Sequence, residues 1–401
     1  MIITSRNENW EQRQLGKLVE LITKGTTPRK YDGNINFIKV ENIKEMSINP
    51  KVKISESEHL GKLKRSVLKE NDILFSIAGS LGKVGLVDST ILPANTNQAL
   101  AIIRLTENKD IEYSYIFSYL KSNYIQHFIR RLPSVGAQPN LSLKQINELV
   151  IKFPNYCEQQ KISNMLDKLN NILTLYERKL KLLSQVKKYF LDNLFAEKEY
   201  PNLRFKGFTD AWEQRKLENL SEHKSGTSIE KYFSSDGLYK VISIGSYGVN
   251  NEYIDQGIRA VKNKATESKL VRNGQLTMVL NDKTANGNLI GRCLLISKDN
   301  EFIVNQRTEI IIPGPDLNEN YAYYYLNGPF RNKVKKIAQG GTQIYVNYSS
   351  VKRQKINYPI KDEQIKISKL LKIIKNLIIL YENKQQHLTE IKNTLLNTMF
   401  I

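Results

Sequence analysis

Gly79-Ser80-Leu81-Gly82-Lys83-Val84 combines glycines with a lysine, the raw material of a phosphate cradle. A nucleotide-binding loop needs wider spacing and a Ser or Thr after the lysine. Here the spacing is short and Val84 follows Lys83, so the stretch reads as a strand connection or a turn whose lysine faces phosphate. Asp362 and Glu363, within Pro359-Ile360-Lys361-Asp362-Glu363-Gln364-Ile365-Lys366, have some of the look of nuclease carboxylates. They stand where a helix begins, and acidic residues there complement the helix dipole, which is the reading adopted. Cys157 and Cys293 lie far apart without Cys or His at ligand spacing, so neither a zinc site nor a disulfide framework is expected. His59, His127, His223 and His387 stand in no motif. The Asn-Pro-Pro-aromatic motif of an adenine methyltransferase is missing, as is its glycine-rich cofactor loop. No catalytic residue, cofactor or metal is therefore expected.

A different chemistry is well supplied. Loops that mix Lys, Arg, Ser, Thr, Asn and Gln with glycine carry the donors and acceptors that base edges and phosphates demand. In the first part of the chain the candidates are Lys24, Thr26, Thr27, Arg29, Lys30, Tyr31, Ser80, Lys83, Gln138 and Asn140. In the second they are Lys224, Ser225, Thr227, Lys283, Thr284, Asn286, Asn288, Arg292, Gln343, Tyr345 and Asn347.

The elements that must hold these loops occur twice. Trp10-Glu11-Gln12-Arg13-Gln14-Leu15 returns as Trp212-Glu213-Gln214-Arg215-Lys216-Leu217, Asn97-Gln98 as Asn305-Gln306, and Tyr115 with Tyr119-Leu120 as Tyr321 with Tyr325-Leu326. Gly136-Ala137-Gln138 returns as Gly341-Thr342-Gln343, and Glu158-Gln159, Tyr176-Glu177 and Phe195 as Glu363-Gln364, Tyr381-Glu382 and Phe400. Ordered matches along the whole chain establish an internal duplication. Within each half, short apolar runs predict strands at Phe37–Val40, Ile73–Ile77, Tyr239–Ile244 and Leu276–Leu280. Gly79, Gly82 and Gly85 predict a turn region, and a short helix is expected near Tyr115–Phe128.

Each half ends differently. From Glu158 to Phe195 there is no Gly or Pro, and apolar residues recur at Ile162, Leu166, Leu169, Leu173, Tyr176, Leu180, Leu183, Phe190 and Leu194, with Lys187 in the remaining slot. The second copy gives Ile367, Leu371, Ile374, Ile378, Tyr381, Leu388, Leu395 and Met399, with Gln385 and Lys392 in its polar slots. Steps of three and four over this length are a heptad seam, and each copy's simplest partner is the other, running antiparallel as a coiled coil. Tyr200-Pro201-Asn202 breaks the first helix. The expected class is α+β: similar mixed domains at 1–153 and 199–357, and long spacer helices at 154–198 and 358–401, with an internal pseudo-two-fold.

Composition agrees with this organisation. The chain of 401 residues exceeds one ordinary core, and 40% hydrophobic residues suffice to build two. Lys and Arg number 60 against 40 Asp and Glu, a net charge of +20 that favours a polyanionic partner through counterion release. No run of 18 apolar residues occurs and the N-terminal stretch is polar, so the expectation is no membrane span, no signal peptide and a reducing cytoplasm.

With the repeated Trp-Glu-Gln-Arg-x-Leu openings, the Lys24-Gly25-Thr26-Thr27-Pro28 and Lys224-Ser225-Gly226-Thr227 turns, the Gly136/Gln138 and Gly341/Gln343 segments, and Glu-Gln-x-Lys-Ile opening each long helix, the chain resembles a specificity subunit of a type I restriction–modification system. The resemblance covers the whole chain; the second half lacks the proline after Thr27 and has a longer loop from Asn281 to Gly291. It implies a non-catalytic subunit whose two target-recognition domains each read half of a bipartite, asymmetric target in double-stranded DNA. It further implies that the helices set the spacer and bind two modification (methyltransferase) subunits, which in turn recruit restriction subunits. Two other readings stand beside it: a fused methyltransferase or nuclease, which the missing motifs disfavour, and a DNA-binding or scaffold protein outside restriction.

Overall fold

The residues Glu11–Gln14, all exposed, form a strand that pairs antiparallel with Val150–Phe153, so the opening of the domain is clasped to its end. The same ribbon recurs between Glu213–Lys216 and Lys355–Tyr358. In both copies the leucine that follows, Leu15 or Leu217, is completely buried. These features belong to a computed structural model that describes residues 10–44, 47–107, 110–131, 140–195, 199–283 and 286–400. The chain divides into two units: residues 1–179 with 381–401, and residues 180–380.

The first unit is built on a four-stranded antiparallel sheet in the spatial order Val19–Lys24, Leu100–Leu105, Ile73–Ser76, Val84–Leu86. Alternation along the central strands buries both faces. Ile73, Phe75, Ala101 and Ile103 face a core shared with the helix Tyr113–Lys121. Leu74, Leu100 and Ile102 face a second core, which Ile38 and Ala94 of a three-stranded sheet help to close. In that sheet Ile35–Ile38 runs parallel to Ala94–Thr96 and antiparallel to Val52–Ile54. Burying a side chain of this size contributes about 1.5–3 kcal/mol, so a sheet buried on both faces stabilises the domain through two cores at once.

The second unit repeats the design. Its four-stranded sheet runs Ser221–Ser225, Thr308–Pro313, Leu276–Val279, Cys293–Leu295, and the companion sheet runs Arg259–Ala260, Tyr239–Ile242, Phe302–Val304, Leu270–Val271. A two-stranded ribbon pairs Asn281–Asp282 with Ile344–Tyr345, where the described residues of the first unit show the single bridge Ala78–Asn140.

Two local expectations are corrected. The single short helix near Tyr115–Phe128 is two helices, Tyr113–Lys121 and Asn123–Arg131, because the buried Ser122 between them is extended (φ −62°, ψ 154°). Gly85 lies inside the strand Val84–Leu86, where Ile48 packs close over its Cα; Gly79 and Gly82, at φ 75° and 74°, make the turn.

The long helices are Tyr156–Asn193 and Lys361–Met399, of 38 and 39 residues. None of the described seam positions is exposed, while the flanking faces are largely so. In the first unit Tyr176 meets Tyr381 with ring centroids 5.5 Å apart, and Phe400, just beyond the second helix, packs on Tyr115 and Tyr119 at 5.5 and 5.2 Å. In the second unit Phe195, just beyond the first helix, packs on Tyr321 and Tyr325 at 5.6 and 5.5 Å. The end of one helix thus reaches the domain from which the other departs, as an antiparallel pair requires.

A glutamine fixes each departure. Gln159 donates to the carbonyls of Asp110 and Pro154 (3.0 and 2.9 Å) and accepts from the Glu112 N–H (3.0 Å). Gln364 repeats this with Asp316, Pro359 and Asn318 (2.9, 2.8 and 2.8 Å). Both glutamines are fully buried, and a buried amide satisfied on both its donor and acceptor sides orients the helix without leaving a polar group unpaired.

Candidate nucleic-acid interface

In the first unit three segments converge at one end of the four-stranded sheet. The Gly25 N–H donates to the Leu100 carbonyl (3.2 Å), and the Thr26 N–H to that of Thr96 (3.0 Å). A Cβ at Gly25 would stand 2.1 Å from the Thr96 oxygen, so only glycine passes here. Ile77 donates to Ala99, and Ala78 bridges to Asn140. The structure therefore brings Lys24, Thr26 and Thr27 together with the Ser80–Lys83 turn and Asn140. Gln138 lies outside the described residues.

The second unit builds the same convergence from other residues. Gly226 donates to Thr308, Leu280 to Arg307, and Val346 to Leu280, each at 2.9 Å. Ser225, Tyr345 and Asn347 share the resulting concavity, a cavity of about 470 Å³ that Thr308 and Glu309 also line. Lys224 is exposed in the strand Ser221–Ser225, Thr227 is exposed on the loop that follows it, and Lys283 is exposed just beyond the ribbon Asn281–Asp282 with Ile344–Tyr345. Thr284 lies outside the described residues. Gln343 is exposed one residue before the strand Ile344–Tyr345.

Several candidates already have partners. The Thr27 hydroxyl donates to Gln98, and Thr26 accepts from Arg65 Nε at 3.0 Å. The Arg29 N–H is held by the Glu58 carboxylate, and Lys39 sits over the exposed Tyr31 ring, 4.4 Å from its centroid. The Ser80 carbonyl accepts from Ser76, which also accepts from the Lys83 N–H. By contrast, Lys24, Lys30, Lys83, Asn140 and Asn347 offer side chains without a protein hydrogen bond among the described residues.

Arg292 has another occupation. It donates to the carbonyls of Asn288 (2.7 Å) and Val249 (2.6 Å), and burial lowers its pKa. Arg331 donates to those of Ile290 (2.8 Å) and Asn288 (2.6 Å), and burial together with the nearby Arg292 charge pushes it down to about 10. The pair shapes the loop that presents Asn286 and Asn288. Nothing in the sequence distinguishes Arg331, because its partners are carbonyls 41 and 43 residues away. Glu230 was missed for the same reason. It accepts from Asn305 (3.0 Å), Gln306 (2.9 Å) and Ser228, and these bonds, Ser228's first, hold its carboxyl down at about 2.

Among the described residues no group of three or more His, Cys, Asp or Glu is placed to hold a metal ion, and no helix is long and apolar enough to cross a membrane. Cys157 and Cys293 are both free thiols.

A duplicated αβ domain that collects polar and basic loops at one end of its sheet defines a nucleic-acid-reading protein. The sequence profile of the type I restriction modification DNA specificity domain matches residues 7–185 and 209–390, and the chain belongs to that family. It is similar to the "Putative type I restriction enzyme MjaX specificity subunit" of Methanocaldococcus jannaschii, 22% identical over 430 residues, covering 98% of this chain and 93% of that one. Its fold is similar to that of the type I restriction–modification S subunit from M. genitalium (TM-score 0.64, 16% identity, 100% and 98% of the two chains). It is also similar to a chain from a structure titled for complex assembly and conformational transition of the type I R-M system (TM-score 0.57, 15% identity, 97% of each chain). The protein is a DNA specificity subunit of the type I restriction–modification kind, with two recognition domains in one chain.

Proposed function

We propose that this subunit is itself non-catalytic and reads a bipartite, asymmetric DNA target, with the loop cluster of each unit contacting one half-site. The observation that carries the reading is the duplication of one loop geometry with different residues in it. Lys24 and Asn140 in the first cluster answer to Ser225 and Tyr345 in the second, while Thr26 recurs as Thr227, so the two clusters share a frame but present different donors and acceptors. The 21 loop residues named from the sequence remain the proposed contact set, with Arg292 acting through the shape of its loop.

Two modification subunits are the proposed partners, with restriction subunits reached through them, in the cytoplasm. Ile172 and Leu175 expose 40% and 62% of their surface outside the seam, and their repeat equivalents Leu377 and Leu380 expose 37% and 46%. An apolar patch that occurs twice suits two copies of one partner. The proposed spacer between half-sites is set by the paired helices.

The test is to assemble the chain with its modification subunit and map methylated sites by sequencing. The expected result is a split motif, with two modification subunits per chain by native mass spectrometry. A continuous motif, one partner per chain, or methyl transfer by the isolated chain would refute it.

A further inference from the structure

Glu309 is an acid where a DNA-reading surface should not tolerate one. It lies on the strand Thr308–Pro313 and is 1% exposed, at the margin of a hydrophobic core that includes Ile311, Met278 and Tyr348. Its Oε1 is bonded to His223 Nδ1 (2.6 Å) and accepts from the Ser225 hydroxyl (3.1 Å). Its Oε2 accepts from no described residue. The carboxylate lines the cavity that Ser225, Tyr345 and Asn347 also line. A buried carboxylate is costly unless it is hydrogen-bonded, and its bonds to described residues all fall on Oε1, which leaves Oε2 open to a partner from outside the chain.

The duplication supplies an internal control. Strand register places Glu309 opposite Ser225, and in the first unit Ala101 opposite Lys24. The position of His223, opposite Ile311, is taken there by Ile22, opposite Ile103. One fold therefore carries a polar His–Glu–Ser cluster in one copy and Ile, Ala and Lys in the other, so the fold does not require the acid. Arg307, two residues before Glu309, is held at φ 67°, a left-handed conformation absent at its counterpart Ala99. Strain of this kind collects at functional sites.

We infer that Glu309 is a specificity-determining residue of the second half-site, accepting a hydrogen bond from the exocyclic amino group of a base. The inference rests on the reading that this loop cluster faces DNA. Phosphate is excluded as the partner, because the carboxylate would repel it. In the major groove the amino donors are cytosine N4 and adenine N6, and carboxylates characteristically accept from the former. His223 and Ser225 fix Oε1 and leave Oε2 for the base.

The experiment uses the chain assembled with its modification subunit. The target is first defined by sequencing methylated sites. Binding is then measured on DNA in which single bases of the second half-site lack the amino group, 2-pyrimidinone for cytosine or purine for adenine. The wild-type complex is expected to lose about tenfold or more at one position, and the E309Q complex to be indifferent to the same deletion while keeping the first half-site. The base that responds identifies cytosine or adenine. H223Q, which leaves the carboxylate in place, should weaken the same position alone. If the wild-type complex has a second half-site and no deletion distinguishes it from E309Q, the assignment of Glu309 fails and the recognition reading survives. If the wild-type complex has no second half-site, both fail. A uniform loss at every position with a lowered Tm for both variants shows a structural role and overturns the inference.

Discussion

Arg204 grips Glu363 through two parallel hydrogen bonds, Nε to Oε1 and NH2 to Oε2, each 2.8 Å. Glu363 opens the second long helix and is fully buried, while its repeat equivalent, Glu158, is exposed. Removing one partner of a buried pair leaves an uncompensated charge and costs about 3–5 kcal/mol. R204A is expected to lower the unfolding free energy of the second unit by an amount of that order, with E158Q as the near-neutral comparison. Chemical denaturation followed separately in the two units checks this, and equal effects of the two substitutions would contradict it.

That pair marks where sequence reasoning stops. Glu363 reads from the sequence as a helix-dipole acid, and it does stand in the first turn. Its dominant partner is 159 residues away, beyond any local pattern. The long helices were legible because a heptad seam repeats its signal many times, and the duplication was legible because Trp10, Tyr115 and Gln159 have counterparts. What those residues do was not. The Gln159 and Gln364 amides serve carbonyls on another segment, and the Tyr115 and Tyr321 hydroxyls donate to the Lys152 and Asn357 carbonyls at 2.7 and 3.0 Å. In the recognition loops the types of residue were legible. Their pairing was not: His223 stands in no motif, and only the strand register brings it to Glu309.

Recognition should sort by unit. Asn140 and Asn347 each lie in a loop cluster, with side chains free of protein hydrogen bonds among the described residues. If each reads a base, N140A weakens one half-site by about 1–3 kcal/mol and N347A weakens only the other. Binding to targets altered in one half at a time is the measurement. Equal losses on every sequence would assign both residues to phosphate.

Acid should act on the second cluster through Glu230. Its carboxyl is lowered from 4.5 to about 2 by bonds that require the ionised form, from Ser228, Asn305 and Gln306. A depressed carboxyl pKa contributes stability that is complete above the unfolded value and is lost as pH falls towards the folded one. The loop Ser228–Glu230 is therefore expected to loosen between about pH 4.5 and 2. In E230Q that pH dependence should disappear. Side-chain carboxyl NMR of Glu230 checks the assignment, and a titration near 4.5 would contradict it.

The proposal that the helices set the spacer makes a quantitative demand. If both domains read one face of the duplex through the major groove, half-site centres lie about one turn, roughly 10 bp, apart. Half-sites of about 3–4 bp then leave a non-specific gap near 6–7 bp by the same geometry. Tyr176 and Tyr381 face each other across the helix pair, so an insertion after each keeps the added turns opposite one another. Four residues in each helix add about 6 Å at 1.5 Å per residue. Base pairs rise about 3.4 Å, so the preferred gap should lengthen by one or two base pairs with both half-sites unchanged. Insertion in one helix alone shifts its seam against the other and should impair folding instead. Sequencing of methylated sites from the assembled complex reads the gap directly. A paired insertion that folds, methylates and keeps the original gap would show that the helices do not set it.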